Sequence, residues 1–555
     1  MDTLYINIIA ANTPDGISVT LYADDIAVIA QNKYHHVAKT NLQGAVNTIR
    51  LNLEKLGLQL TAEKTKLLSF GKTPHRSAHT VLNIGSHSIE SSPVVKYLGL
   101  MIDHKLKFKE HVQIIQIHCN KLLNIIKFLR GTWWGCDPQT LITIYKALIR
   151  SKIEYGSIWY FPQDNKSRTM LERIQIEALK LAMGYRRSTP TNVILAETKL
   201  PSLKDRTSYL GAKYLLKVII NGSNPFVSIL ADFCEAYSRQ HNSLNPAMDN
   251  DRPLVRSINL VEEYTPLLDR LPNLLINTTD YTAQLVQLKI ESEFITKWRN
   301  TAHSSEVFQD IIQNKYHSQR FTPEDNHTTR ITLPKQASVF TAECVALEAA
   351  FKYIYRHQDN AYVVSTDSLS LVQTMDSPGI QGNEQVDRES KEAAQSAVNV
   401  VHTVPHTDIF PLLKQKITKN THKKLTRQAS FKGGAYFNKY YSDSSTHPCF
   451  HNKKLPRHTT VWINRLRSNH YNLKASLKRV NIVQDTRCQC GFPVEDIDHM
   501  LWDCTRTQAH RQEMVQQLGA KRLTPPYKIE KFLKSPNITA LKIIDDFLYK
   551  NNLNL

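Results

Sequence analysis

The spacing of apolar residues along the chain changes between the two-residue period of strands and the longer period of helices. Residues 18–22 and 26–30 are short apolar runs rich in β-branched side chains, and we predict that both are strands. Residues 57–70 alternate in the same way, which predicts a strand, a turn and another strand. Residues 94–112 predict a strand, a turn at Asp103–His104 and the start of a helix.

Helical spacing begins in residues 37–56 and dominates from about residue 115 to residue 220. In the stretch 171–183, apolar residues fall on one helical face and Gly184 follows as a stop signal. The residues on that face are Leu171, Ile174, Ala178 and Leu181.

These patterns predict a multidomain chain that mixes α+β and α/β segments. The predicted segments are a mixed one at 1–115, a helical one at 116–220, a linker with weak helices at 221–335, an α/β one at 336–400 and a basic helical tail at 405–555.

The net charge of the chain indicates what kind of partner it binds. The 555 residues include 70 Lys and Arg against 50 Asp and Glu, a formal net charge of +20. Such an excess predicts a polyanionic partner, most simply nucleic acid. An anionic membrane surface is the competing interpretation, but the sequence has no apolar run of about 18 residues, so we predict no membrane partner.

The remaining composition concerns the compartment. The N-terminus lacks a basic segment and carries Asp2, so we predict no signal peptide. Eight cysteines are too sparse for a disulfide framework. We expect a reducing compartment, nucleus or cytoplasm, with buried thiols at the scattered cysteines Cys119, Cys136, Cys234 and Cys344.

Asp24 and Asp25 lie between the first two predicted strands. They could simply satisfy the backbone of a hairpin turn. Alternatively, they could hold Mg²⁺, because nucleotidyl transfer by two metal ions needs carboxylates that converge at a rigid position. The residues themselves leave both interpretations open.

The basic tail carries 16 Lys and Arg and one acidic residue between positions 411 and 480, with aromatic residues interleaved. Basic groups neutralise phosphates and aromatic rings stack on unpaired bases, so we predict nucleic-acid contact here, although a solvated helical face is the alternative. The candidate residues are Lys423, Lys424, Lys453, Lys454, Arg457, Trp462, Arg465 and Arg467.

A Cys/His cluster follows at 488–504 with the spacing C-x-C-x8-H-x4-C. Three thiolates and one imidazole suit tetrahedral Zn²⁺, which predicts a zinc knuckle, although C-x-C is tighter than the common C-x2-C and unligated buried thiols are the alternative. The predicted ligands are Cys488, Cys490, His499 and Cys504.

Several motifs in order resemble a known family. YADD at 22–25, GLQLTAEKTKLLSF at 57–70, KYLGLMIDHKLKFKEHV at 96–112 and the helical stretches 131–160 and 171–190 are similar to the palm and thumb of non-LTR (LINE-type, jockey-like) retrotransposon reverse transcriptases. The resemblance implies that Asp24 and Asp25 bind Mg²⁺ and that Lys64 assists pyrophosphate release. It also implies an RNA template, an RNA/DNA hybrid and dNTPs as partners.

A second resemblance concerns residues 337–394, which are similar to a type 1 ribonuclease H domain. Glu343, Asp367 and Asp387 match its metal-binding carboxylates, whereas the family's first aspartate has no counterpart. Taken alone, each of these residues could equally be an ordinary solvated carboxylate. We expect this domain to be degenerate and inactive.

The implied architecture is a partial right-hand polymerase palm with a helical thumb, a degenerate RNase H-like α/β domain and a basic helical tail with a CCHC zinc knuckle. Only 23 residues precede Asp24, so we expect a chain truncated within the palm that lacks the family's first carboxylate and its fingers and is therefore inactive as a polymerase on its own. The alternatives to an RNA-directed DNA polymerase fragment are a non-catalytic nucleic-acid-binding protein and a functionless translated relic.

Overall fold

The computed structural model describes much of the chain, but not its middle. The described residues are 9, 12–14, 16–23, 25–70, 80–162, 164–220, 226–230, 232–233, 253–264, scattered positions between 331 and 350, 406–442, 444–445, 447–523, 525–534 and 536–555. Asp24, Glu343, Asp367 and Asp387 lie outside them, as do Cys234, Cys344, most of the predicted linker and nearly all of the RNase H-like segment.

β1 (Ile17–Tyr22) and β2 (Asp25–Ala30) form an antiparallel hairpin, which confirms the two predicted strands. Tyr22 pairs with Asp25, so the strands are joined by a two-residue turn in which Ala23 has a φ of 51°. Helix α1 (His35–Lys55) packs its buried Ile49 and Leu53 against apolar residues of the hairpin.

Two further hairpins follow, β3 (Val81–Ile84) with β4 (His87–Glu90) and β5 (Val94–Tyr97) with β6 (Leu100–Asp103). The single strand predicted near residue 94 is therefore two strands, joined at Leu98 and Gly99, which both have positive φ. The strands predicted at 57–70 are wrong, because only Leu67 of that segment forms a bridge, with Ser91. Alternation without a pairing partner does not make a strand.

The helices between 109 and 220 confirm the predicted helical region. Their bounds are α2 (Lys109–Leu129), α3 (Pro138–Ile144), a π turn at Tyr145–Arg150, α4 (Ser151–Glu154), α5 (Ser157–Tyr160), α6 (Asn165–Met183), α7 (Thr191–Thr198) and α8 (Leu203–Ile220). α2, α3 and α6 share one apolar core, in which Cys119 and Ala178 are fully buried. Gly184, with φ 70°, ends α6 as predicted.

Further helices whose bounds the structure describes are α9 (Pro253–Val261), α10 (His406–Ala429), α11 (Gly434–Lys439), α12 (Arg457–Arg467), α13 (Lys474–Arg479), α14 (Gln508–Ala520), α15 (Ile529–Lys534) and α16 (Ile538–Lys550). Short 3₁₀ turns lie at Glu262–Tyr264 and Thr505–Thr507, and a π turn lies at His499–Asp503. α12, α14, α15 and α16 enclose a second core that includes Trp462, Leu518, Leu533 and Phe547.

The chain divides into two compact units, which differ from the predicted segments. The first unit combines residues 1–207 with 421–555, so the C-terminal part of the basic tail belongs to the same unit as the hairpins. The second unit is 208–420 and has its own core around Leu216, Val261 and Leu413. Within the described parts of both units, no helix is long and apolar enough to cross a membrane.

Candidate metal centre and nucleic-acid interface

Asp25 is the described member of the aspartate pair. It is the first residue of β2, and its side chain is exposed. Burial raises the pKa of the Tyr97 phenol, and the negative charge of Asp25 raises it further, so the carboxylate lies near the third hairpin. Among the described residues, no other carboxylate, thiol or imidazole joins Asp25 in a metal-binding group.

Lys64 lies in the exposed turn that precedes Leu67. The described part of the chain contains no hydrogen bond or ion pair between Lys64 and Asp25. The roles of both residues remain predictions.

The four predicted zinc ligands, in contrast, converge. One donor atom from each of Cys488, Cys490, His499 and Cys504 lies within 4.8 Å of the others. The Cys488 and Cys504 sulfurs are 3.7 Å apart, and Nε2 of His499 is 3.2 Å from the sulfur of Cys490. The arrangement is a compact set of three sulfurs and one imidazole nitrogen.

The first two cysteines are positioned by a tight backbone turn. Gly491 donates its backbone N–H to the Cys488 carbonyl at 3.0 Å, and Cys488 donates its own to the carbonyl of Phe492 at 2.9 Å. Gly491 has a φ of 95°, which favours glycine at this position. The C-x-C spacing is therefore compatible with a knuckle that turns both sulfurs to one side.

His499 and Cys504 are brought together by the π turn at His499–Asp503, in which the Cys504 N–H donates to the His499 carbonyl at 2.8 Å. Residues five apart on an α-helix are separated by about 140° around its axis, so an α-helix would turn them away from each other. The wider i→i+5 turn places them one above the other.

The surroundings hold this geometry in place. The Phe492 ring stacks on the His499 imidazole at 4.3 Å, and Asp496 accepts the His499 backbone N–H at 2.8 Å. Nδ1 of His499 is buried and has no hydrogen-bond partner among the described residues. Burial raises the pKa of the Cys504 thiol to about 11, whereas the hydrogen bond from the Phe492 backbone lowers that of Cys490.

A groove of about 1060 Å³ in the first unit collects basic side chains from distant parts of the sequence. Ten of its lining residues are basic and three are acidic. The basic residues are Lys127, Arg130, Arg168, Arg173, Lys180, Arg187, Lys204, Lys424, Arg457 and Arg465, and the acidic ones are Glu172, Glu177 and Asp205. We call this feature the basic groove.

The three acidic residues of the basic groove compensate little of this charge. Burial raises the pKa of Glu172 to about 7, so this carboxyl is only partly ionised at neutral pH. Glu177 and Asp205 form loose ion pairs with Lys127 and Lys424, at 3.7 Å and 3.9 Å. Even with Glu177 and Asp205 fully ionised, the basic residues outnumber the acidic ones, so the groove keeps a strongly positive field.

Of the tail residues predicted to bind nucleic acid, Lys423, Lys424 and Lys454 are exposed, and Lys424 lines the basic groove. Lys453 is half-buried and donates to the Pro536 carbonyl at 3.2 Å. These four lysines remain candidates.

Three of the other four predicted residues are buried and have protein partners instead. Arg467 pairs with Glu197 at 3.1 Å inside the protein, and the Trp462 indole N–H donates to Asp545 at 2.7 Å. The Arg457 guanidinium donates to four backbone carbonyls. The fourth, Arg465, is half-buried and donates to the Gly184 carbonyl at 2.8 Å. These four side chains are thus hydrogen-bonded within the protein, and their role in nucleic-acid binding stays a prediction.

No family model matches the chain. Curated relatives are similar over parts of it. An "RNA-directed DNA polymerase from mobile element jockey" of Drosophila melanogaster is 24% identical over 212 residues, which is 37% of this chain and 22% of that protein. A "Retrovirus-related Pol polyprotein from type-1 retrotransposable element R1 2" of Nasonia vitripennis is 24% identical over 150 residues, 26% of this chain and 37% of that one.

A "Probable RNA-directed DNA polymerase from transposon X-element" of Drosophila melanogaster is 21% identical over 194 residues, 35% of this chain and 21% of that protein. The chain thus spans between about a fifth and two-fifths of the length of the curated relatives it matches. Together, these relatives support the resemblance to jockey-like non-LTR retrotransposon reverse transcriptases.

Proposed function

We propose that this chain, a jockey-like fragment related to the non-LTR retrotransposon RNA-directed DNA polymerases, binds RNA and RNA/DNA hybrid through the basic groove. The observation that carries the proposal is the excess of basic residues along that groove, where eight basic residues besides the protein-bound Arg457 and Arg465 stand against three acidic ones. Phosphates placed there release their counterions when they meet Lys and Arg, and this release drives binding.

In this proposal the three hairpins with α1 correspond to a partial palm, and the helices from α2 to α8 correspond to a thumb. The order of the motifs supports the assignment, because YADD precedes the helical stretches just as the resemblance implies. Asp24 and Asp25 are then the carboxylates for Mg²⁺, and Lys64 the residue that assists pyrophosphate release. The RNase H-like remnant with Glu343, Asp367 and Asp387 stays a prediction from sequence.

Salt-dependent RNA binding tests the basic groove directly. Arg173 and Arg187 are exposed groove residues on or just after α6, whereas Lys166 is exposed on α6 outside the groove. We expect Arg173→Ala and Arg187→Ala to weaken RNA binding. Each should also reduce the slope of the logarithm of the binding constant against the logarithm of the salt concentration, by about 0.7 for each single-strand phosphate that loses its basic partner. Lys166→Ala should change neither quantity. Equal effects of all three variants would contradict a specific groove.

Primer extension on poly(rA)/oligo(dT) with Mg²⁺ and dNTPs separates the enzyme from the alternatives. Incorporation that is lost in Asp24→Ala and Asp25→Ala would support polymerisation by this chain. Salt-sensitive binding without incorporation would support a non-catalytic nucleic-acid-binding protein. Neither binding nor incorporation would support a functionless relic.

We also propose that Cys488, Cys490, His499 and Cys504 hold Zn²⁺. The donor set fits, because three thiolates and an imidazole suit a closed tetrahedral structural site and all four donors already converge. Bound Zn²⁺ would tie the 488–492 turn to the π turn. Metal analysis of the purified chain should give one zinc per chain, and Cys490→Ser should lower that content, with Cys136→Ser as the thiol control outside the cluster.

A further inference from the structure

Four large aromatic side chains of the first unit are strongly exposed and lie in two contacting pairs, one of which also contacts a histidine. Phe128, Trp133, Trp134 and Tyr549 are between 64% and 72% exposed. Large exposed apolar clusters are uncommon on soluble proteins and mark interaction surfaces. We call these four rings, together with His458, the aromatic platform.

The rings form two connected groups. Trp133 stacks on the His458 imidazole with centroids 4.8 Å apart and meets the edge of Tyr549 at 6.0 Å. Trp134, its neighbour in the chain, meets Phe128 at 6.0 Å. The two tryptophans therefore sit on separate aromatic supports, and each keeps much of its indole surface in solvent.

The loop that carries both tryptophans is tightly folded. The backbone N–H of Gly135 donates to the Gly131 carbonyl at 2.7 Å, and that of Cys136 donates to the Leu129 carbonyl at 3.0 Å. A Cβ at Gly131 would overlap the indole of Trp134, and one at Gly135 would overlap the backbone of Gly131. Both glycines are thus required by close approach.

Arg457 hydrogen-bonds to the backbone at both ends of this loop. Its guanidinium donates to the carbonyls of Arg130 at 3.1 Å and Cys136 at 3.0 Å, immediately outside the folded segment. The neighbouring His458 donates its Nε2–H to the Asp545 carboxylate at 2.7 Å, which fixes the ring on which Trp133 stacks. The exposed indoles are consequently held in place before any partner arrives, which lowers the entropy cost of binding.

Members of the aromatic platform are next in the chain to residues of the basic groove in two segments. Lys127 and Arg130 line the groove on either side of Phe128 at the C-terminal end of α2, and Thr132 lines it next to Trp133. Arg457 lines the groove beside His458. A strand whose phosphates follow the groove would thus meet exposed rings at this end.

We propose that the aromatic platform stacks the unpaired bases of a single-stranded RNA or DNA whose phosphates occupy the basic groove; this rests on the proposed nucleic-acid binding. Every base has an aromatic face, so rings beside a positive groove bind single strands with little sequence preference. Paired bases are already stacked within a duplex and do not present these faces. Trp133 and Trp134 therefore add affinity for unpaired strands, beyond the phosphate contacts that the groove offers to single strands and hybrids alike.

The test compares oligo(rU) with an abasic oligonucleotide of equal length, which keeps the phosphates and lacks the bases. Wild-type protein should bind oligo(rU) about 5- to 100-fold more tightly than the abasic strand, as expected for each stacked base. Trp133→Ala and Trp134→Ala should remove much of that difference and leave abasic binding unchanged. Trp133→Phe should retain most of it, and Phe431→Ala, an exposed ring outside these contacts, should have no effect.

The outcomes separate the two proposals. If Arg173→Ala weakens the binding of both oligonucleotides while the tryptophan variants change the binding of neither, the groove binds phosphates and the proposed role of the aromatic platform is refuted. A wild-type protein that binds both ligands equally would also refute the platform, without relying on any variant. If wild-type protein binds neither ligand at low salt, the proposed function fails and the platform fails with it.

Discussion

Two sets of basic residues in the first unit look alike in the sequence and do opposite things in the structure. Arg457, Arg465 and Arg467 of α12, which we call the inward set, hydrogen-bond to partners within the protein, whereas Arg173 and Arg187, on or just after α6, are exposed along the basic groove. The reason lies at the C-terminal end of α6, where the last carbonyls of a helix have no partner within the helix. Arg457 donates to the Leu181 and Ala182 carbonyls at 3.0 Å and 2.8 Å.

Other residues of α12 also donate to carbonyls at the end of α6. Asn464 donates to the Met183 carbonyl at 2.9 Å, and Arg465 donates to that of Gly184 at 2.8 Å. Gly184 also has no room for a Cβ, which would overlap Val461. A dense run of basic residues can therefore serve as hydrogen-bond donors to buried backbone, and its charge count alone does not identify a nucleic-acid surface.

The strongest test of the inward set is Arg467→Ala. Arg467 pairs with Glu197, which also accepts from the Tyr436 hydroxyl at 2.6 Å and the Cys449 N–H at 3.1 Å. Removing one partner of a buried pair leaves an unpaired charge, so we expect the free energy of unfolding to fall by about 3–5 kcal/mol. Urea titration followed by circular dichroism measures it. The double variant Glu197→Gln with Arg467→Met should recover part of the loss, and no recovery would contradict the charge explanation.

The same pair predicts acid sensitivity. Burial alone would raise the pKa of Glu197, but the positive charge of Arg467 and the hydrogen bonds from Cys449 and Tyr436 lower it to about 2. A carboxyl whose folded pKa is depressed stabilises the protein above its unfolded pKa and loses that contribution as pH falls towards the folded value. Between about pH 4.5 and pH 2 we expect roughly 3 kcal/mol to be lost. Urea titrations across this range should show a shallower decline in Glu197→Gln, and parallel curves would contradict the assignment.

Arg457→Ala tests the cap of α6 and the hydrogen bonds to the tryptophan loop together. The substitution leaves four carbonyls without their donor, of which some regain partners from water, so we expect a loss of about 2–3 kcal/mol of unfolding free energy. It should also loosen the tryptophan loop, which is measured as a change in tryptophan fluorescence anisotropy. The lysine of Arg457→Lys cannot reach all four carbonyls, so the free energy of unfolding of this variant should lie between those of the wild-type protein and Arg457→Ala. An effect on fluorescence without any effect on stability would contradict the cap.

The local pattern of the sequence was sufficient for several elements. Alternation predicted β1 and β2, helical spacing with Gly184 predicted the end of α6, and the C-x-C-x8-H-x4-C spacing predicted the four residues that converge. Each of these depends on residues that are close in the chain. The π turn that brings His499 and Cys504 together was not predicted, because the same spacing on an α-helix separates them.

The basic groove and the aromatic platform could not be predicted in the same way. The groove draws on residues between 127 and 205 and between 421 and 465, and the platform joins Trp133 to His458 and Tyr549. Such sets depend on which distant segments pack together. The sequence also does not show which arginine side chains donate to the protein and which are exposed. The carbonyls at the end of α6 become buried acceptors for α12 only once α12 packs against that end.

The smallest effect is expected where the groove residues are changed. Arg173 and Arg187 are exposed and cap no backbone carbonyl among the described residues, so Arg173→Ala and Arg187→Ala should alter the free energy of unfolding by no more than about 0.5 kcal/mol. The same substitutions should weaken RNA binding, which separates them from Arg467→Ala. Urea titration beside a binding titration on each purified variant makes the comparison, with Lys166→Ala neutral in both. A groove variant that loses several kcal/mol would place its arginine with the inward set and remove it from the proposed nucleic-acid surface.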